Sequence, residues 1–148
     1  MQVDFYQLGP VPPVQAVVQL AANTLAAGKR LLVVDADPAQ RERISEALWA
    51  APPFRGRESF LAHCEAGGPH NARQPILLSD SMEPANGASF VLLADGRWRD
   101  AESFERAFLL FGEETLAEAR ACWRALGERE GLERRYWKQD GGRWVQAG

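Results

Sequence analysis

Three short apolar runs limit most strongly what this chain can fold into: RLLVVD (30–35), PILLSD (75–80) and SFVLLAD (89–95). Each is of strand length and apolar at consecutive positions, the pattern of a strand covered on both faces. Segments of helical periodicity lie between and before them. After VDFYQL (3–8), an alternating run rich in strand formers, Val14, Val17, Val18, Ala21 and Leu25 recur at helical spacing, with proline near the start and Gly28 just past the end. Asp37-Pro38-Ala39-Gln40 then supplies an N-cap, a proline at the first helical position and a capping-box partner. The helix it opens runs to about Trp49 and buries Ile44 and Leu48. Buried strands alternating with helices call for a mostly parallel sheet with helices on its faces.

The remaining elements follow from local signals. SFLAH (59–63) reads as a short strand between the polar loop after Pro52-Pro53 and a Gly-Gly-Pro turn at 67–69. Residues 101–107 read as a short helix and AFLLF (107–111) as another strand. Thr115 and Glu118 form a capping box for the last long helix. ERRYWKQ and GRWVQ flank Asp140-Gly141-Gly142, a hairpin signal. The expectation is a three-layer α/β fold over residues 1–148 as one domain, a length sufficient for a full core, with the last hairpin or strand at the sheet edge. No basic start followed by an apolar run and a small-residue cleavage site is present, and no apolar run approaches the roughly 20 residues of a membrane span. The chain is therefore expected to be cytoplasmic.

Several chemistries are invited and left incomplete. Asp35 and Asp37 in VVDADPAQ imitate the acidic pair of a phosphorelay receiver or the DxD of an aspartyl-phosphate phosphatase. A receiver also needs a phosphoacceptor at the end of the next parallel strand and a later lysine, and Ala39 breaks the phosphatase pattern. Carboxylates beside a helix N-terminus read instead as caps. Gly28-Lys29-Arg30 lacks the earlier glycine and the following Ser/Thr of a phosphate loop, and GxGxxG is absent. His63 and Cys64 are neighbours on a strand and point to opposite faces, so they do not converge on a substrate or metal. Cys64 and Cys122 lie far apart with no CxxC, and both read as reduced thiols.

Charge directs attention to the last third of the chain. The net charge of −3 divides into −6 over residues 1–119 and +3 over 120–148, a split that marks a landing place for an acidic partner or nothing at all. Within the basic part, Arg120, Trp123 and Arg124 share a helix face, so two guanidinium groups flank one indole. That face suits an anion with an apolar end. The basic and aromatic segment around Arg134, Trp137, Lys138 and Trp144 offers an alternative, binding of single-stranded nucleic acid. Trp49 and Phe60 either cap the core or form an exposed apolar partner patch.

Taken in order, VDFYQL, AAGKRLLVVDAD, ISEALWA before ESFLAHCEAGGP, QPILLSD, and a late R-x-x-W-R followed by Gly131, Tyr136 and GGRW resemble the chi subunit family of bacterial DNA polymerase III holoenzyme. The resemblance covers essentially the full length. It implies a Rossmann-like accessory protein without nucleotide, cofactor, metal or catalytic site. It also implies two partners: the psi subunit of the clamp loader, met by Trp49 and Phe60, and the acidic C-terminal tail of single-stranded DNA-binding protein, met by Arg120, Trp123 and Arg124. Contact with DNA would then be mainly indirect. A phosphotransfer domain using Asp35 and Asp37 is the least favoured alternative.

Overall fold

The computed structural model describes residues 1–9, 13–50, 63–68, 72, 74–140 and 143–148. Along the chain these form β1 (Gln2–Gln7), α1 (Pro13–Ala26), β2 (Leu31–Val34), α2 (Pro38–Trp49), β3 (His63–Glu65), β4 (Ile76–Ser79), β5 (Phe90–Leu93), β6 (Arg106–Phe111), α3 (Leu116–Leu126), β7 (Glu133–Asp140) and β8 (Arg143–Gln146). One sheet takes the order β3-β4-β2-β5-β6-β1-β7-β8. Every neighbouring pair is parallel except β7 and β8, which form the antiparallel edge expected from the terminal hairpin signal.

The consecutive apolar runs are explained by two separate cores, one on each face of the sheet. Leu31 and Val33 of β2 face α1 and α2, where they meet Val17, Leu20, Ile44 and Leu48. Leu32 and Val34 face the opposite layer and pack with Ala101, Phe104, Ala119 and Cys122. Because successive side chains alternate across a strand, only an apolar residue at every position satisfies both layers. The result is a three-layer Rossmann-like α/β arrangement, with α1 and α2 on one side and α3 with the 97–105 loop on the other.

Three local expectations are corrected. Residues 101–105 do not form a helix: Asp100 Oδ1 accepts the Glu102 N–H at 3.1 Å, a single turn closes from Phe104 N to the Ala101 carbonyl, and β6 begins at Arg106. Strand pairing on both flanks of β6 claims the residues a longer helix would need. At α2, Asp37 caps as expected by accepting the Ala39 N–H at 2.9 Å, but Gln40 does not close the box. Its amide oxygen accepts from Arg43, and the Asp37 N–H donates to Asp35 Oδ1 at 2.9 Å. At α3, Thr115 makes no side-chain cap. A 3₁₀ turn (Glu113–Thr115) precedes the helix, and Thr115 Oγ1 accepts the N–H of Gly112 at 3.3 Å. That hydroxyl presses against Gly96, whose φ of +74° and lack of a Cβ permit the approach.

A polar lock holds the basic edge of the sheet in place. Asp4 of β1, wholly buried, receives Arg106 Nε of β6 at 2.6 Å and Trp137 Nε1 of β7 at 3.3 Å. An ion pair at this depth persists because its oxygens are matched by donors from both neighbouring strands. It ties β7 to β1, which the functional site requires.

Candidate functional site

Helix α3 presents two stripes. Ala119, Cys122 and Leu126 are buried at helical spacing, while Arg120 and Arg124, four apart, stand exposed on the flank with the half-buried Trp123 between them. Glu118 in the first turn and Arg124 in the last follow the helix dipole. Gly127 ends the helix, its N–H reaching the Trp123 carbonyl at 3.2 Å.

The facing wall comes from β7. Its parallel register with β1 places Tyr136 beside Phe5 and Lys138 beside Gln7. Residues 147 and 148 fold back along it, with Ala147 N donating to the Tyr136 carbonyl at 2.7 Å and Tyr136 N to the Gly148 carbonyl at 3.0 Å. Between helix and strand lies a depression of about 380 Å³ lined by Gln7, Arg120, Trp123, Arg124, Tyr136, Lys138, Ala147 and Gly148. The three residues expected to act together from helix spacing do line one hollow.

Trp123 is held rigidly. Its ring meets Phe5 edge-on at 5.2 Å and Tyr136 edge-on at 5.6 Å. The guanidinium of Arg134 lies over it at 4.1 Å from the ring centroid and donates to the Trp123 carbonyl. Gly127 makes room for this clamp: a Cβ there would stand 2.6 Å from Arg134 Cζ. The Tyr136 hydroxyl donates to Gln7 Oε1, and burial pushes its pKa up while the charge of Arg120 opposes the rise. Among the described residues no acidic side chain pairs with Arg120, Arg124 or Lys138, whereas Arg129 is paired with Glu102. The hollow therefore offers three cations without an acidic partner among the described residues, the Lys138 ammonium lying 5.9 Å from the Tyr136 ring centroid, around two packed aromatic walls.

Helix spacing alone does not reveal the contributions of Gln7, Arg134, Tyr136 and Lys138. They come from strands distant in sequence, and the hairpin signal shows that β7 and β8 pair but not that β7 docks on β1. Other aromatic residues of the hairpin are engaged in packing. Trp137 stacks on Tyr6 with centroids 6.1 Å apart, and Trp144 meets the Tyr6 ring edge-on at 4.9 Å and donates to Gln19.

Trp49 lies at the far end of the sheet, at the close of α2, 53% exposed, its ring 4.6 Å from that of His63 on edge strand β3. Phe60 falls outside the described residues. His63 is buried and shares a 2.8 Å hydrogen bond with Ser45, and Cys64 packs on the opposite face, as strand alternation requires. Both cysteines are free thiols, and burial raises that of Cys122 to about 11. Among the described residues no three His, Cys, Asp or Glu side chains are placed to hold a metal ion, and no helix is long and apolar enough to cross a membrane. Lys29 pairs with Glu105, and Arg30 donates to the Ala72 and Asn86 carbonyls, so Gly28-Lys29-Arg30 serves a helix-to-strand turn.

DNA polymerase III subunit chi of Escherichia coli (strain K12) is 31% identical over 80 residues, a stretch covering 54% of this chain and 52% of that protein. The chain thus matches about half the length of this curated relative. The family described as "DNA polymerase III chi subunit, HolC" matches residues 1–133, which takes in both sheet cores and all of α3 but stops at the first residue of β7. With nine-tenths of its length matched, the chain belongs to the DNA polymerase III chi subunit family.

Proposed function

We propose that this protein is a non-catalytic accessory subunit of the replicative polymerase, joining the clamp-loader complex, through psi, to the acidic C-terminal tail of single-stranded DNA-binding protein. The observation that carries the reading is the hollow between α3 and β7, where Arg120, Trp123 and Arg124 converge and no acidic partner for either arginine stands among the described residues. An aspartate-rich tail ending in an apolar residue with a free carboxylate needs forked donors for its charges and a flat apolar seat for its last side chain. Arg120 and Arg124 meet the first need, Trp123 and Tyr136 the second. An exposed contact of this type is weak and salt-sensitive, and many copies along a coated strand raise its effective strength through local concentration.

Trp49 supports the psi half of the reading. A large indole left half-exposed at the opposite end of the sheet is the kind of anchor on which partner interfaces depend. Phe60 is assigned to the same contact by its match to the family pattern.

The test is a fluorescence-anisotropy titration with a labelled acidic tail peptide. Binding that weakens about tenfold on Arg120→Ala, and further on removing the peptide's terminal carboxylate, supports the assignment, and unchanged affinity rejects the hollow as the tail site. Capture of psi by wild-type protein but not by Trp49→Ala tests the second contact.

A further inference from the structure

A second depression, of about 550 Å³, lies at the carboxyl ends of β1, β2, β5 and β6, on the same side of the sheet. The connection leaving β2 turns toward the β3 edge and packs α2 on one face. The connection leaving β5 turns the other way and packs Ala101 and Phe104 on the opposite face. Such a change of crossover direction opens the crevice in which open α/β sheets take their ligands, and the volume is in the range of small-molecule sites.

Its chemistry excludes the usual anionic occupants. Asp35, Asp37, Asp95, Glu113 and Glu114 line it, and no lysine or arginine does so among the described residues. Two of these carboxylates differ sharply in how well they are matched. Asp95 accepts from the Ala36 and Arg97 N–H groups and from both Nη atoms of Arg99, at 2.7–3.2 Å. Asp35 is 1% exposed; its Oδ1 accepts the Asp37 N–H, and its Oδ2 is buried with no hydrogen-bond partner among the described residues. A carboxylate oxygen left unmatched at that depth is a substantial free-energy cost that an incoming donor would relieve. Among the described residues no three His, Cys, Asp or Glu side chains converge to hold a bare metal ion, so the complement argued for is an organic cation. Leu8, Ala94, Leu110 and Phe111 supply an apolar wall for an aliphatic stem.

The geometry points to a binding site for an organic cation, an ammonium or guanidinium on an aliphatic stem, held among the carboxylates of this crevice beside the half-matched Asp35. The same chemistry is offered by a free alkyl amine and by a lysine or arginine side chain of a protein partner. Burial raises the Asp35 pKa, the hydrogen bond from the Asp37 N–H opposes that rise, and the charges of Asp95 and Asp37 add to it, in keeping with a carboxylate that gains from a positive neighbour.

Amide spectra of the ¹⁵N-labelled full chain, titrated at constant ionic strength with 1,4-diaminobutane, Nα-acetyl-arginine amide or MgCl₂, test the site. Saturating shifts centred on residues 35–37 and 94–96 with either organic cation support it, and the tighter of the two identifies the source. Asp35→Asn keeps an acceptor for the Asp37 N–H, removes the charge, and is expected to weaken binding at least about tenfold. Should that variant not fold, the double variant Glu113→Gln/Glu114→Gln is expected to weaken binding severalfold through loss of charge alone. Non-saturating shifts, an equal saturating response to magnesium, or wild-type affinity in the folded variant would each overturn the proposal.

Discussion

The basic hollow between α3 and β7 and the acidic crevice at the carboxyl ends of β1, β2, β5 and β6 are served by the same helical segment. Glu113 and Glu114, just ahead of α3, line the crevice, and Arg120, near the middle of α3, and Arg124, in its last turn, line the hollow. Acidic groups at a helix start and basic groups toward its end are the arrangement the helix dipole favours. One charge gradient therefore stabilises α3 and sorts opposite charges into two sites. The two sites differ in how their charges are matched. Among the described residues the cations of the hollow are exposed and without acidic partners, whereas in the crevice Asp95 is saturated and the buried Asp35 keeps one oxygen unmatched.

The sharpest way to break the comparison is Trp123→Ala. It removes the ring packed on Phe5 and Tyr136 and capped by Arg134, and is expected to destabilise the fold by about 2–4 kcal/mol, near the lower end for loss of a large aromatic. Chemical denaturation measures that loss, and peptide titration should show the hollow inactive while the crevice still responds to organic cations.

Next in size is the contrast between Asp95 and Asp35. Burial alone would raise the Asp95 pKa, but the Arg99 fork and the Ala36 and Arg97 N–H groups outweigh it and leave it below the ordinary carboxylate value. Its stabilising contribution is thus present above the ordinary aspartate range and is lost as pH falls through the lowered value. Asp95→Asn should destabilise by roughly 1.5–3 kcal/mol at neutral pH, with the gap closing on acidification. Asp35 carries the opposite sign. Its pKa is raised, so the ionised form opposes folding at neutral pH and the penalty fades as pH falls through that raised value. Asp35→Asn is expected to raise the denaturation midpoint at pH 7, with the advantage shrinking toward pH 4. A loss of stability at neutral pH would remove the distinction between the two aspartates.

Smaller effects sharpen the contrast. Arg120→Ala and Arg124→Ala should each weaken tail-peptide binding about tenfold while leaving stability within about 0.5 kcal/mol, because neither side chain has an ion-pair partner among the described residues. Asp37→Ala removes the cap on Ala39 and should cost about 1 kcal/mol, read from the thermal midpoint, without affecting the hollow.

Much of this was legible along the chain, and the misses have a common cause. The buried strands at 30–35, 75–80 and 89–95 could be read because burial on both faces demands apolar residues in succession. The Arg120/Trp123/Arg124 face could be read because helix spacing is local. The caps at Gln40 and Thr115 and the helix at 101–107 were misread because the backbone groups concerned found partners elsewhere: Asp35 for one, Gly112 for another, and the neighbours of β6 for the third. At Gln40 and Thr115 the competing partners are themselves local, two and three residues away, whereas at 101–107 tertiary strand pairing overrides the helical propensity.

What the amino-acid order determined by itself is the alternation of doubly buried strands with capped helices and the two guanidiniums flanking one indole, since both depend on neighbours within a few residues. Tertiary structure decided that β7 lies parallel to β1, pinned by Asp4, Arg106 and Trp137, and so delivers Tyr136, Lys138 and the Arg134 clamp to the hollow. It also decided that Asp35 is buried with one oxygen unmatched. Strand partners far apart in the chain are selected by how the whole fold buries its apolar area and matches its polar groups, and no local period carries that information.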